Sequence, residues 1–237
     1  MTVKDSYPLP RMDECLDSLG DAIFFSTFDA NCGYWQLDVD VRDRAKTAFV
    51  CHRGCFEYLR MPFGLCNAPA SFQRAMDVIL AAYRWKTCLV YLDDVIVFSK
   101  TFEEHLKNVS DILHCLKEAG FSLKLAKCSF FKQQVDYLGH VVMPGKLAVA
   151  KRTTEAVQNF KVPTTQTHIK SFLGLCNVYR RFVPNFARVA APLNALLKKG
   201  NPAQLAPLTE QQLLSFSKLK DSNCCCLLYT SPSPRDA

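Results

Sequence analysis

Tyr91-Leu92-Asp93-Asp94 lies between two runs of β-forming residues, Lys86-Thr87-Cys88-Leu89-Val90 before it and Val95-Ile96-Val97-Phe98 after it. Two adjacent carboxylates at the tip of an apolar hairpin are a costly arrangement, because an unpaired buried carboxylate is strongly unfavourable unless a cation compensates it. Hard divalent ions suit Asp oxygens, so this turn is a candidate Mg²⁺ site. A solvated Asp-Asp turn is the plain alternative, since Asp is common in turns, and four letters leave both readings open. A third carboxylate is available in Asp29, which ends the β-rich run 22–29 and is followed by the turn Ala30-Asn31-Cys32-Gly33. An antiparallel sheet can set that strand end beside the hairpin tip. Asp29, Asp93 and Asp94 together could then hold two Mg²⁺ about 3.5–4 Å apart, one activating an attacking hydroxyl and the other stabilising a leaving pyrophosphate.

Periodicity indicates the elements that must position these groups. Met12, Cys15, Leu16 and Leu19 fall at helical spacing and Gly20 closes that helix. Residues 36–41 and 46–51 alternate in polarity around Arg42-Asp43-Arg44 and read as a hairpin. Asn67-Ala68-Pro69 starts a helix with an N-cap and a proline in its first turn, and Phe72, Met76, Ile79, Leu80 and Tyr83 form its apolar face. Thr101-Phe102-Glu103-Glu104 is a capping box for a helix with Phe102, Leu106, Val109, Leu113 and Leu116 on one stripe, ending at Gly120. Strand-like 121–125 and 135–142 follow, with Pro144-Gly145 as a turn. From residue 151 the pattern is helical only, at 153–160, 166–182 and 187–199. The order describes an α+β fold: an antiparallel sheet with helices on one face, then a helical appendage beginning near residue 150.

At 237 residues and 49% hydrophobic composition the chain can build a full core. It has no apolar run long enough to span a membrane and no signal-peptide pattern at its start, so no membrane partner and no secretion are expected. Its twelve cysteines are scattered singly through apolar runs apart from Cys224-Cys225-Cys226. Cys51-His52-Arg53-Gly54-Cys55 is zinc-like but lacks a second pair, and reduced thiols of an intracellular protein are expected. The net charge of +7 is uneven: residues 1–150 hold 17 basic against 18 acidic residues, and residues 151–220 hold 11 against two, Glu155 and Glu210. A near-neutral body joined to a basic segment is the footprint of a polyanion grip; a merely basic helix bundle is the alternative.

The motifs occur in a recognisable order: Phe28-Asp29 through Gly33-Tyr34-Trp35-Gln36; Lys46-Thr47-Ala48-Phe49; Met61-Pro62-Phe63-Gly64-Leu65-Cys66-Asn67-Ala68-Pro69-Ala70-Ser71-Phe72-Gln73; Tyr91-Leu92-Asp93-Asp94; Tyr137-Leu138-Gly139-His140; and Phe172-Leu173-Gly174-Leu175 with Tyr179-Arg180-Arg181-Phe182. Across residues 6–220 the chain resembles the reverse transcriptases of gypsy-type long-terminal-repeat retrotransposons. The resemblance implies a right-hand polymerase fold: a palm with partial fingers over 1–150, and a helical thumb with the start of a connection over 151–221. It also implies RNA-directed DNA polymerase activity with two Mg²⁺, Mn²⁺ being an alternative.

Residue by residue, the resemblance makes Asp29, Asp93 and Asp94 the catalytic carboxylates and metal ligands, with the Ala30 carbonyl also touching metal. Tyr34 matches the aromatic beneath the incoming sugar, where a packed ring leaves no room for a 2′-hydroxyl; ordinary core packing is its alternative. Phe63 and Gly64 match the loop on the nucleotide. Lys127 lies near where the family places a lysine that protonates the leaving pyrophosphate, with Lys124 and Lys132 close by as alternatives. Tyr91, Leu138, Gly139, His140, Gly174, Asn177, Arg180 and Arg181 match positions along the primer and template. The implied partners are primed RNA or DNA template, dNTPs and the rest of a polyprotein, and the implied location is a cytoplasmic particle or the nucleus.

The chain departs from the family at both ends. The family's upstream finger strands and its following connection and RNase H domain are expected to be absent from these 237 residues, the fingers mostly so, and this chain alone is expected to turn over weakly or not at all. Residues 222–237 lack periodicity, resemble translated adapter sequence and are expected to be structureless. A catalytically dead, nucleic-acid-binding relic is the rival reading.

Overall fold

Helix α1 (Met12–Asp17) buries Cys15 and Leu16 and leads into strand β1 (Phe24–Asp29). The computed structural model describes residues 2–198, Gln204 and 207–224. They divide into one unit running to Tyr137 together with Met143–Gly145, and another comprising Leu138–Val142 and the chain from Lys146 onward.

After β1 the expected hairpin of 36–41 with 46–51 does not form. Asp40 Oδ1 instead accepts the Arg42 backbone N–H at 2.9 Å and starts helix α2 (Val41–Arg44). The alternation at 37–39 is satisfied elsewhere: Val39 N–H donates to the Leu59 carbonyl at 3.0 Å, and Met61 N–H to that of Leu37 at 2.9 Å. The hairpin is built from β2 (Phe49–Cys51) and β3 (Gly54–Phe56), so residues 49–51 pair with their immediate successors. Cys51 and Cys55 are exposed free thiols there, and among the described residues no three His, Cys, Asp or Glu side chains are gathered closely enough to hold a metal ion.

Helix α3 (Ala68–Ile79) carries Pro69 in its first turn. The Asn67 side chain does not cap it. Its amide accepts the Asp5 N–H at 3.1 Å and donates to the Val3 carbonyl at 2.9 Å, binding the N-terminal segment. Strands β4 (Cys88–Tyr91) and β5 (Asp94–Ser99) form the Asp-Asp hairpin. Helix α4 (Phe102–Glu118) starts as its capping box requires, with Thr101 Oγ1 accepting the Glu104 N–H at 3.3 Å. Its buried face is rotated from the expected stripe: His105, Val109, Ile112 and Leu116 are inside, whereas Phe102 and Leu106 are exposed. His105 is tolerated there because Ser26 Oγ and Ser99 Oγ lie 2.8 and 3.1 Å from its two ring nitrogens, and burial lowers its pKa. Residues 121–125 give only a bridge, Leu123 to Ala30, and a 3-10 turn (Leu125–Lys127) before β6 (Ser129–Lys132) and β7 (Val135–Tyr137).

The four-stranded sheet has the order β4-β5-β1-β6, with β1 antiparallel to both β5 and β6. One face carries Phe28, Cys88, Val90, Val95 and Val97, packed with Ala68, Phe72, Met76 and Leu80 from the α3 segment and Val109, Ile112 and Leu116 of α4. Full burial of each large side chain contributes roughly 1.5–3 kcal/mol. By the two-residue period of a strand, Asp29 and Asp94 belong to the other face, at the end of the sheet.

Strand β8 (His140–Met143), which the second unit holds up to Val142, pairs with β9 (Lys146–Val149). Helices α5 (Lys151–Gln158), α6 (Gln166–Val178), α7 (Phe186–Ala195) and α8 (Glu210–Cys224) follow. Their core is Val157, Ile169, Phe172, Leu173, Cys176, Val183, Ala190, Leu193, Phe216 and Leu219. The helix expected over 166–182 ends at Val178 and is continued by a 3-10 turn over Arg180–Phe182. Because α8 runs to Cys224, the first three residues of the expected tail are helical; residues 225–237 lie outside the described residues. Among the described residues no helix is long and apolar enough to cross a membrane.

Candidate active site

Antiparallel register sets Asp29 directly opposite Asp94, with Asp93 in the adjoining turn. Like charges directly opposite on a sheet are destabilising. Burial raises the pKa of Asp93 most, followed by the charges of Asp94 and Asp29. Asp94 has the more open surface, yet partial desolvation against the sheet end and then Asp29 raise it too. Asp93 Oδ1 is buried without a hydrogen-bond partner. Lys127 supplies the compensating charge: its Nζ donates to Asp29 Oδ2 at 3.1 Å and it opposes the upward shift of both other carboxylates. Lys132 pairs with Phe25, four residues back along β1, and Lys124 reaches Asp29 only by its backbone, N–H to carbonyl at 2.9 Å.

As they stand, the three carboxylates do not converge as ligands of a single ion. Their chemistry nevertheless fits a divalent cation. The set is all-oxygen, mutually repelling and partly desolvated, and one buried oxygen is orphaned. Ala30, whose carbonyl would complete the set, is buried and bridged to Leu123.

Two residues outside the expected site hold the Asp93 turn in place. Leu92 has φ of +52°, a strained value for a bulky side chain. The fully buried Gln73 fixes it by accepting the Leu92 N–H at 2.7 Å while donating to the Val90 carbonyl at 3.1 Å and to Asp77 Oδ1 at 2.9 Å. Gly33 makes the close approach that lets the turn sit down: a Cβ there would fall 2.9 Å from Asp93 Oδ1 and 2.8 Å from the Phe72 ring. Nothing in the spacing of the motifs marks either residue for this task, although a glutamine on the apolar side of α3 is a signal of buried polar work.

Tyr34 is half-buried, 5.2 Å from the ring of Phe63 and 5.6 Å edge-on to Phe72. Its hydroxyl pKa is raised by burial and then by the charge of Asp93. Phe63 is exposed, and Gly64, with φ of +91°, has open space around it. An aromatic step therefore adjoins the carboxylates.

Of the residues expected along primer and template, Tyr91 ends β4 opposite Asp94 in the first unit. The others belong to the second. Leu138 and Gly139 both have positive φ, 48° and 75°, and a Cβ at Gly139 would meet Tyr179 Oη at 3.2 Å. Tyr179 Oη donates to the Gly139 carbonyl at 3.2 Å, and the His140 ring lies 5.2 Å from that of Tyr179 and 5.8 Å from that of Phe182. This clamp ties the turn at 138–139 to the end of α6. Gly174 and Asn177 are on the exposed face of α6, and Gly174 has open space around it. Arg180 is exposed, whereas the Arg181 guanidinium lies 5.9 Å from the centre of the Phe182 ring.

Comparison with known proteins follows the same lines. The family described as "Reverse transcriptase (RNA-dependent DNA polymerase)" matches residues 1–142. The chain is 42% identical over 220 residues to a retrovirus-related Pol polyprotein from transposon 297 of Drosophila melanogaster, covering 93% of this chain and 21% of that protein. It is 39% identical over 217 residues to the Pol polyprotein of transposon gypsy of the same organism, covering 92% of this chain and 21% of the relative. The chain thus spans about a fifth of these curated relatives. Among solved structures, it is similar to a foamy viral protease–reverse transcriptase in complex with double-stranded DNA, with a TM-score of 0.86 at 25% identity over 93% of this chain and 39% of the other. A foamy viral protease–reverse transcriptase in complex with an RNA/DNA hybrid gives 0.78 at 25% identity, covering 93% and 30%.

Proposed function

The chain belongs to the reverse transcriptase family, and from that premise we propose that it is the palm and thumb portion of a retrotransposon RNA-directed DNA polymerase. In this reading residues 1–150 are palm with part of the fingers, residues 151–221 are thumb and the start of a connection, and the products are DNA strands copied from a primed RNA or DNA template. The observation that carries it is the Asp29–Asp94 pairing with Asp93 beside it, three carboxylates forced together at one sheet end.

Asp29, Asp93 and Asp94, with the Ala30 carbonyl, would hold two Mg²⁺ or Mn²⁺. Bound there, the ions supply Lewis-acid stabilisation of the phosphate charge and acidify the primer 3′-hydroxyl. The protein's own task is positioning, as in other phosphoryl transfers. Tyr34 lies under the sugar of the dNTP and excludes a 2′-hydroxyl, Phe63 and Gly64 line the nucleotide, and Lys127 serves its phosphates. In the first unit Tyr91 contacts the primer or template; in the second the clamped turn at Leu138, Gly139 and His140 holds the primer end. Gly174 and Asn177 lie along the duplex, where the exposed face and missing side chain of Gly174 permit close approach. Arg180 and Arg181 add to a segment that holds 11 basic residues against two acidic ones.

The deciding experiment is metal-dependent dNTP incorporation on poly(rA)–oligo(dT) by a polypeptide containing this chain, with Asp93→Asn as the comparison. The carboxamide keeps the shape of the turn and loses the charge, so incorporation should fall at least about a hundredfold with folding retained. Incorporation by the variant at the parental rate would overturn the catalytic assignment. Nucleic-acid binding with no incorporation by the parent would favour the relic.

A further inference from the structure

The cation that meets the carboxylates in this structure is Lys127, and its backbone is attached to the same strand end. The 3-10 turn that carries Lys127 is bound by backbone to the strand end it serves: Lys124 N–H donates to the Asp29 carbonyl at 2.9 Å, Lys127 N–H to the Lys124 carbonyl at 2.9 Å, and Asn31 N–H to the Ser122 carbonyl at 3.0 Å. The pivot is therefore fixed while the side chain, 57% exposed, is an arm that can swing. At the end of that arm Nζ lies 3.1 Å from Asp29 Oδ2, so the lysine occupies one oxygen of the carboxylate that lies opposite Asp94.

We propose that Lys127 is the resident counter-cation of this carboxylate group, and that a divalent ion binds by displacing it from Asp29. The inference rests on reading Asp29, Asp93 and Asp94 as the metal-binding set. It accounts for two observations together. Lys127 Nζ is hydrogen-bonded to Asp29, which lies directly opposite Asp94, so the lysine relieves part of the repulsion that a metal would relieve more completely. The three carboxylates also fail to converge as ligands of one ion while Asp29 is engaged by the ammonium. A displaced Lys127 stays tethered within reach of the site, where its free ammonium can meet an anionic phosphate. Metal loading thus releases the lysine for the nucleotide, and one side chain serves two states in succession.

The test is Mn²⁺ binding to the full chain without nucleotide or nucleic acid, read as loss of the free-ion electron paramagnetic resonance signal. Lys127→Met removes the competitor and the repulsion between the two cations, so the Mn²⁺ dissociation constant should fall about three- to thirtyfold. Lys127→Arg retains a cation on a similar arm and should bind within about twofold of the parent. Lys124→Met removes a neighbouring charge with no carboxylate contact and should also leave the constant within about twofold. Lys127 is exposed, so the variants should keep the fold; thermal unfolding without metal should show Lys127→Met slightly less stable and Lys127→Arg unchanged. Equal or weaker Mn²⁺ binding by Lys127→Met, or tightening just as large in Lys124→Met, overturns the proposal while leaving the carboxylate reading intact. Absence of Mn²⁺ binding in every variant and in the parent overturns both.

Discussion

Gln73 Oε1 accepts the backbone N–H of Leu92 at 2.7 Å, joining the middle of α3 to the tip of the hairpin that presents Asp93. The bond holds a leucine at φ of +52°, and the other two hydrogen bonds of the same amide reach Val90 and Asp77. Replacing Gln73 by Leu should strand the Leu92 N–H and the Val90 carbonyl in a buried setting, at a cost of about 1–3 kcal/mol for each unsatisfied group. Chemical denaturation should show stability lowered by about 2–6 kcal/mol, and Mn²⁺ binding should weaken because the turn is no longer held. Unchanged stability would mean that the turn is held by its strands alone.

Gly33→Ala tests the same turn by steric means. The added methyl meets Asp93 Oδ1 and the ring of the fully buried Phe72 below 3 Å, so a loss of about 1–3 kcal/mol is expected together with weaker Mn²⁺ binding. A variant as stable as the parent would show that α3 can shift to accommodate it.

For sugar selection, Tyr34→Ala should open space beside Phe63 and lower the preference for dNTP over rNTP, measured as the ratio of kcat/KM values, by about tenfold or more. An unchanged ratio would leave Tyr34 as a core aromatic packed on Phe72.

Salt dependence should separate the two thumb arginines. Each phosphate contact contributes roughly 0.9 to the slope of log K against log salt on duplex. Arg180 is exposed and Arg181 lies over the Phe182 ring, so Arg180→Ala should flatten the slope by about 0.9 and Arg181→Ala by less. Slopes that do not change would assign the grip to other basic residues of 151–220.

Thiol reactivity should follow burial. Cys88 and Cys176 are pushed up to about 12 and Cys15 to about 11 by burial, from an ordinary value near 9. Iodoacetamide at pH 8 should label the exposed Cys32, Cys51, Cys55 and Cys66 and spare those three until the protein unfolds. Because their folded pKa values lie above the unfolded ones, the buried thiols contribute full stability below about pH 9. That contribution should decline as the unfolded thiols ionise between about pH 9 and 12. Peptide mapping after labelling, and denaturation at pH 8 and pH 10, read the two effects.

Local chemistry was legible in the sequence where the signal and its partner are close together. Thr101 and Glu104 are three residues apart and form their cap, Pro69 sits in the first turn of α3, and the strands of the Asp93-Asp94 hairpin pair with their immediate neighbours in sequence. The motif order around Asp29, Asp93 and Asp94 was enough to identify the family, because it specifies chemistry rather than packing. What depended on partners distant in the chain was decided only by the tertiary structure. The alternation at 37–39 was real but is satisfied by residues 59–61, so the hairpin read from adjacency was wrong. The buried face of α4 is set by His105, whose hydroxyl partners come from β1 and β5 and leave no trace in a hydrophobic pattern. Lys124, Lys127 and Lys132 are equivalent as letters, and a 3-10 turn tied to Asp29 selects Lys127. Gln73 and Gly33 act on groups brought to them by folding, 19 residues away in the one case and at Asp93 in the other. Periodicity reports which side of an element is apolar, whereas a buried polar bond or a missing Cβ takes its meaning from the atom opposite, and only the folded chain supplies that atom.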